Sequence, residues 1–111
     1  MSETLLQFEG RLLSGSVPRF QQRMSEACPS GSERLLLDLL KVSFIGSAAL
    51  RAILVTAKRL GASGGKLAVC APPQIVQIFA VSGLDAVLPV RADLAQAGEA
   101  LHTTSQGSGA L

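Results

Sequence analysis

Five leucines, Leu35, Leu36, Leu37, Leu39 and Leu40, stand in six consecutive positions with only Asp38 between them. A continuous apolar run this short does not alternate, so it predicts a strand covered by helices on both faces, as in the parallel sheet of an α/β domain. The rest of the chain supplies the parts. Leu6, Phe8 and Leu12 alternate with Gln7, Glu9 and Arg11, with Gly10 in the apolar register, so a half-exposed strand is expected from Leu6 to Leu12. Ser14-Gly15-Ser16 reads as a turn. Pro18 then opens a helix carrying Phe20, Met24 and Ala27, and Pro29 to Ser32 ends it in a loop.

After the leucine strand, Leu50, Ile53, Leu54, Ala57 and Leu60 recur at spacings of three and four, predicting an amphipathic helix from Ser47 to Leu60. Gly61 and Gly64-Gly65 are expected to stop it. Lys66 to Ala71 reads as a third strand, Pro72-Pro73 as the opening of a helix with Ile75, Ile78 and Phe79, and Ser82-Gly83 as its end. A short strand from Val87 to Val90 and a helix from Ala92 to Leu101, with Leu94, Ala97 and Leu101 on one side, complete the pattern. Strands alternating with helices imply one α/β domain, a mixed sheet of about four strands with about four helices. The leucine strand is expected at its centre, between the first and third strands. The domain spans residues 1–102, and the Ser- and Gly-rich residues 103–111 read as a flexible tail.

Several function classes lack their chemistry. Ten Lys and Arg against eight Asp and Glu is too even a balance for a nucleic-acid surface. The start has no basic and apolar leader and no run is long enough to span a bilayer, so a cytoplasmic protein without membrane insertion is expected. Cys28 and Cys70 are far apart, which predicts two buried, reduced thiols, and with His102 the one histidine a zinc site lacks ligands. His102, beside the tail, has nothing in its sequence surroundings to fix a tautomer, which makes it a poor general base. There is no glycine-rich phosphate loop opening a helix; Gly61 to Gly65 lies between a helix and a strand. No catalytic residue, metal or cofactor is expected.

The strand-to-helix junction Phe44-Ile45-Gly46-Ser47-Ala48-Ala49-Leu50 is the informative place, because α/β proteins put ligands at the carboxyl ends of strands. Ser47 reads there as an N-cap, whose loss to alanine costs about 1 kcal/mol. Asp38 is expected to turn outward at its strand end and accept backbone N–H groups, with a contact to the Ser47 loop as the other reading. Arg51, Val55 and Lys58 share a face of the Ser47 helix outside its apolar stripe, and Val76 and Ala80 flank the core side of the next helix.

Asp38 within Leu37-Asp38-Leu39, Val42 to Leu50, Gly65-Lys66-Leu67-Ala68-Val69 and Val81-Ser82-Gly83-Leu84-Asp85 occur in the order and spacing of a STAS domain, and from about Leu6 to Val90 the chain resembles bacterial anti-sigma factor antagonists. The resemblance implies a STAS-like fold and a partner-switching protein that binds an anti-sigma factor with serine kinase activity. Phosphorylation of the serine at the helix N-terminus, here Ser47, would break the complex, and a phosphatase is a candidate second partner. Gly46, Ser47, Ala48, Ala49, Arg51, Val55 and Lys58 are the expected contact residues. The sequence departs from the family pattern at Gly46, where an acidic residue is usual, and at Ala49, where glycine is usual. The other readings are a STAS subunit regulating a membrane transporter complex and a small nucleotide- or lipid-binding module.

Overall fold

The computed structural model describes residues 3–31 and 33–102 of the chain. Ser32, in the expected loop, and the expected tail at 103–111 lie outside the described residues. Four strands, β1 (Glu3–Leu12), β2 (Arg34–Ile45), β3 (Lys66–Cys70) and β4 (Val90–Arg91), form one sheet in the order β1-β2-β3-β4. Four helices follow them: α1 (Val17–Ala27), α2 (Ser47–Ala62), α3 (Pro73–Ser82) and α4 (Leu94–His102), with short 3-10 turns at Ser14–Ser16 and Leu84–Ala86. The α/β class and the central place of the leucine strand agree with expectation. All three strand pairings are parallel rather than mixed, since each neighbour in the sheet is reached through a helix.

A parallel sheet in sequential order has one consequence for its layers. Right-handed crossovers at each step put α1, α2 and α3 on the same face. One buried cluster accordingly unites Leu35, Leu37 and Leu39 of β2 and Leu67 and Val69 of β3 with Phe20 and Met24 of α1, Ile53 and Leu60 of α2, and Ile75 and Phe79 of α3. The opposite face of the sheet is left to α4. It packs on β3 and β2 through Ala97, Ala100 and Leu101, while Leu94 is exposed instead of joining that stripe.

The leucine strand is therefore not sealed on both faces. Leu35, Leu37 and Leu39 are fully buried, but on the α4 side Leu36 is half-buried and Leu40 is exposed, because that single helix leaves the β1 side of the face open. Leu5, beside Leu36 in the register, is exposed there as well. The strand also runs further than its leucines, through Val42 to Ile45, so that its end meets the start of α2 directly.

Asp38 accepts a backbone N–H as expected, but it does not turn outward at a strand end. It lies inside β2, buried, and accepts a hydrogen bond from Gln7 Nε2 at 2.9 Å, one from the Leu40 backbone N–H at 3.0 Å and a weak one from Cys70 Sγ at 3.7 Å. The register of β1 and β2 slips by one residue between Gln7/Asp38 and Glu9/Lys41. Such a bulge withdraws a backbone donor from the ladder, and the Asp38 carboxylate accepts from Leu40 at that point. Asp38 thus ties β2 to β1 and β3, and none of its hydrogen-bond partners, Gln7, Leu40 and Cys70, belongs to the Ser47 loop. Cys28 and Cys70 are buried free thiols, as expected, and burial followed by the Asp38 charge pushes Cys70 up to about 12.

Element ends follow the glycines with one exception. Gly83 takes φ +84 and closes α3, and Gly64 takes φ +86 beyond α2. Gly61 stays inside α2, which runs on to Ala62. Val87 to Leu88 belongs to the turn after Leu84–Ala86 and only Val90–Arg91 pairs as a strand. Val76 is half-buried and Ala80 exposed, so Val76 alone flanks the core.

Leu37 is wholly enclosed by the main cluster. Leu37→Ala is expected to lose about 2–5 kcal/mol in urea denaturation; a loss under about 0.5 kcal/mol would contradict its placement.

Candidate functional site

The carboxyl end of β2 hands the chain to α2 within one residue. Val42 and Ile45 are buried and hold the strand end against the core. Gly46 then takes an extended conformation, φ −90 and ψ 169, and serves as the N-cap of α2. Its carbonyl accepts the first helical bond from Leu50 N–H at 3.1 Å, and its own N–H donates to the Leu12 carbonyl at 2.9 Å. Ala49, Leu50 and Ile53 bury the inner side of the helix immediately afterwards.

Ser47 is consequently the first residue within the helix and not its cap, a correction to the sequence reading. No side chain caps α2, and Ser47 is exposed. Serine and its predecessor are both plausible caps by residue type, and the extended backbone of Gly46 decides between them. Since no cap bond is lost, Ser47→Ala falls among ordinary surface substitutions, within about 0.5 kcal/mol, instead of costing a full cap.

Around Ser47 the surface is concave. Val17 and Gln21 of α1 and Ser47, Ala48, Arg51, Ala52 and Val55 of α2 line a hollow of about 400 Å³ between the two helices. Arg51 is the one charged side chain in that lining, and Val55 is 51% exposed. Phe44 and Leu13 carry exposed apolar surface at the same corner, next to Gly46 and to Leu12 respectively. Clustered apolar exposure of this kind marks interaction surfaces more than scattered exposure does.

Of the expected contact residues, Gly46, Ser47, Ala48, Arg51 and Val55 come together at this corner. Ala49 does not: it is fully buried, because its position on the helix faces the sheet. Lys58 is exposed on the same side of α2 but outside the hollow's lining. Val17, Gln21, Leu13 and Phe44 are additions, and only the packing of α1 beside α2 brings Val17 and Gln21 there.

Elsewhere, a second hollow of about 440 Å³ at the β1 edge is lined by Gln7, Phe8, Glu9, Arg23, Asp38 and Lys41, charges of both signs interleaved. Arg23 stacks over Phe8 at 4.4 Å and reaches the Gln7 carbonyl. His102 has neighbours that its sequence surroundings do not announce: Arg34 Nη1 lies 3.1 Å from its Nδ1 and Glu3 Oε2 lies 2.6 Å from its Nε2. This exposed trio ties the end of α4 to the start of β1 and has no hydroxyl or thiol among its members. No group of three or more His, Cys, Asp or Glu among the described residues is placed to hold a metal. No helix among them is long and apolar enough to cross a membrane.

The profile of the STAS domain matches residues 2–97. A Bordetella bronchiseptica protein, "Putative anti-sigma factor antagonist BtrV", is 29% identical over 96 residues, 86% of this chain and 83% of its own length. An anti-sigma factor antagonist from Mycobacterium paratuberculosis superposes with a TM-score of 0.82 at 24% identity, covering 92% of this chain and 87% of that one. The anti-sigma factor antagonist SpoIIAA in its unphosphorylated form gives 0.72 at 18% identity, covering 94% and 92%. At these identities the solved structures establish the shared fold.

Gly46 stands where the sequence pattern of the resemblance has an acidic residue, and the backbone does not require glycine. Its φ is negative, and a Cβ there would meet Leu12 O at 3.5 Å and Phe44 Cε2 at 3.9 Å, ordinary contacts. Gly46→Asp is expected to fold normally and gain a few tenths of a kcal/mol at neutral pH, since it adds a capping carboxylate at an uncapped helix N-terminus. Thermal denaturation reads this directly; a loss above about 1 kcal/mol would show that the loop needs glycine.

Proposed function

The chain belongs to the STAS domain family, and on that premise we propose that it is an anti-sigma factor antagonist whose binding surface is the α1–α2 corner and whose control point is Ser47. The observation that carries this reading is the exposed Ser47 hydroxyl on the lip of the hollow formed with Val17, Gln21, Arg51 and Val55. The curated relative bears an antagonist's name, and SpoIIAA is described in an unphosphorylated form, so phosphorylation distinguishes states of that protein.

In the unmodified chain the corner is largely apolar and small, which suits close packing by a protein partner. The partner of this reading is an anti-sigma factor that carries ATP-dependent serine kinase activity. In the modifying step Ser47 Oγ forms a bond to the γ-phosphorus of ATP, the bond from that phosphorus to ADP breaks, and the hydroxyl proton leaves to a base of the kinase. The product carries about −1.5 to −2 charges and three acceptor oxygens where Ala48 and Val55 would otherwise be covered. Burying that dianion against a partner costs more than the apolar contact returns, so the complex separates. Within the free chain the same anion is tolerated, because Ser47 lies in the first turn of α2. Nothing in this account asks the chain to catalyse a reaction; it acts by being bound or released.

The test pairs the chain with anti-sigma factors of its own source. Ser47→Ala is expected to bind as the wild type does and to gain no phosphate on incubation with the kinase and ATP, read by intact mass. Ser47→Asp carries less charge than a phosphate and is expected to weaken binding by about tenfold, equivalent to ~1.4 kcal/mol. Wild-type protein that stays unmodified, together with equal affinity for Ser47→Asp, would reduce Ser47 to an ordinary surface residue.

A further inference from the structure

Arg51 has no hydrogen-bond or ion-pair partner among the described residues, although it borders the corner at which the antagonist reading places both partner and phosphate. It stands four residues after Ser47, and side chains four apart lie one above the other on a helix, with Cβ atoms about 5–6 Å apart. Long helical side chains lean toward the helix N-terminus, so the reach of Arg51 is back over Ser47 and not away from it. Both residues line the same hollow, and apart from Arg51 that lining is uncharged: Val17, Gln21, Ala48, Ala52 and Val55.

From this arrangement we propose that Arg51 is a shared cation of the switch: it pairs with a carboxylate of the partner when Ser47 is bare, and with the phosphate of Ser47 when it is modified. The inference rests on the antagonist reading for the partner half alone. Charge complementarity defines the partner's contact segment as an Asp or Glu next to an apolar side chain that enters between Val17 and Val55. A guanidinium suits both states, because its planar fork matches carboxylate and phosphate alike. Modification then does two things at once. It adds a charge that the interface has to bury, and it withdraws the one cation that the partner's carboxylate needs. With Gly46 before it, a phosphate on Ser47 meets no carboxylate from the preceding residue that would repel it or compete for Arg51.

The two halves separate experimentally. Phosphoserine is introduced at position 47 during translation, in the wild type and in Arg51→Gln, and the second phosphate ionisation is followed by 31P NMR at low salt. Pairing with Arg51 favours the dianion, so the wild-type midpoint is expected about 0.3 unit or more below that of Arg51→Gln, with the gap narrowing in 0.5 M NaCl. Equal midpoints would overturn the proposal, whatever the partner is. Arg51→Gln of the unmodified chain is expected to bind the anti-sigma factor about tenfold more weakly with a flatter salt dependence, and Arg51→Lys to fall between the two. Unchanged affinity and salt dependence in Arg51→Gln would overturn the partner half. Failure of the wild type itself to bind any anti-sigma factor would instead contradict the antagonist reading, and the 31P comparison would still decide whether Arg51 holds the phosphate.

Discussion

The structure depends on β2 being hydrogen-bonded along both edges while Leu35, Leu37 and Leu39 are removed from water on one face. Two parallel partners need two crossovers, and handedness then commits α1 and α2 to the same layer, side by side. The hollow between these helices is a product of that commitment. So is the placement of Ser47, because the strand that carries the leucines ends at Ile45, one residue before the α2 N-cap. A single bond locks the junction from the other side: Gly46 N–H to the Leu12 carbonyl fixes the end of β1 against the start of α2. The core strand and the proposed binding corner are consecutive parts of one stretch of chain.

On the proposed reading, that coupling lets a switch at Ser47 operate without reshaping the domain. The residues that fill the core from α2, Ala49, Leu50 and Ile53, alternate around the helix with those that face outward, Ser47, Ala48, Arg51 and Val55. Charge added on the outer side changes what can be buried against it, while the inner side keeps its packing. The polar contacts inside the sheet are separate from this corner. Asp38 satisfies the bulge between β1 and β2 and holds Gln7 and Cys70, and its value is structural.

Much of the fold was legible because its signals are local. The leucine run marked the central strand, the three- and four-residue spacing after Ser47 marked α2, and Gly83 marked the end of α3 through a backbone conformation that glycine readily adopts. The fate of Asp38 was not legible, because a bulge is a relation between two strands and leaves no trace in either one alone. Leu36 and Leu40 were misplaced for a similar reason: how far α4 reaches across the sheet is a property of layer packing. At the candidate site, residue type alone does not tell an N-cap from the first helical residue, and the extended backbone of Gly46 makes Ser47 the latter. Ala49 was assigned to the contact surface by its place in the motif, and helical phase turns it inward. Val17 and Gln21 belong to the hollow only after α1 has docked beside α2, so α1's own sequence could not announce them.

The central claim is that the α1–α2 corner around Ser47 is where the partner binds. Backbone amide chemical shifts of isotopically labelled chain, followed while an anti-sigma factor is added, test it most directly. The account predicts that the largest shifts or broadening fall on Leu13, Val17, Gln21, Phe44 to Ala48, Arg51 and Val55, and that they vanish when the chain carries phosphoserine at position 47. Perturbation centred instead on the open β1 side of the sheet, at Leu5, Gln7 and Leu40, with the Ser47 corner unchanged, would contradict it.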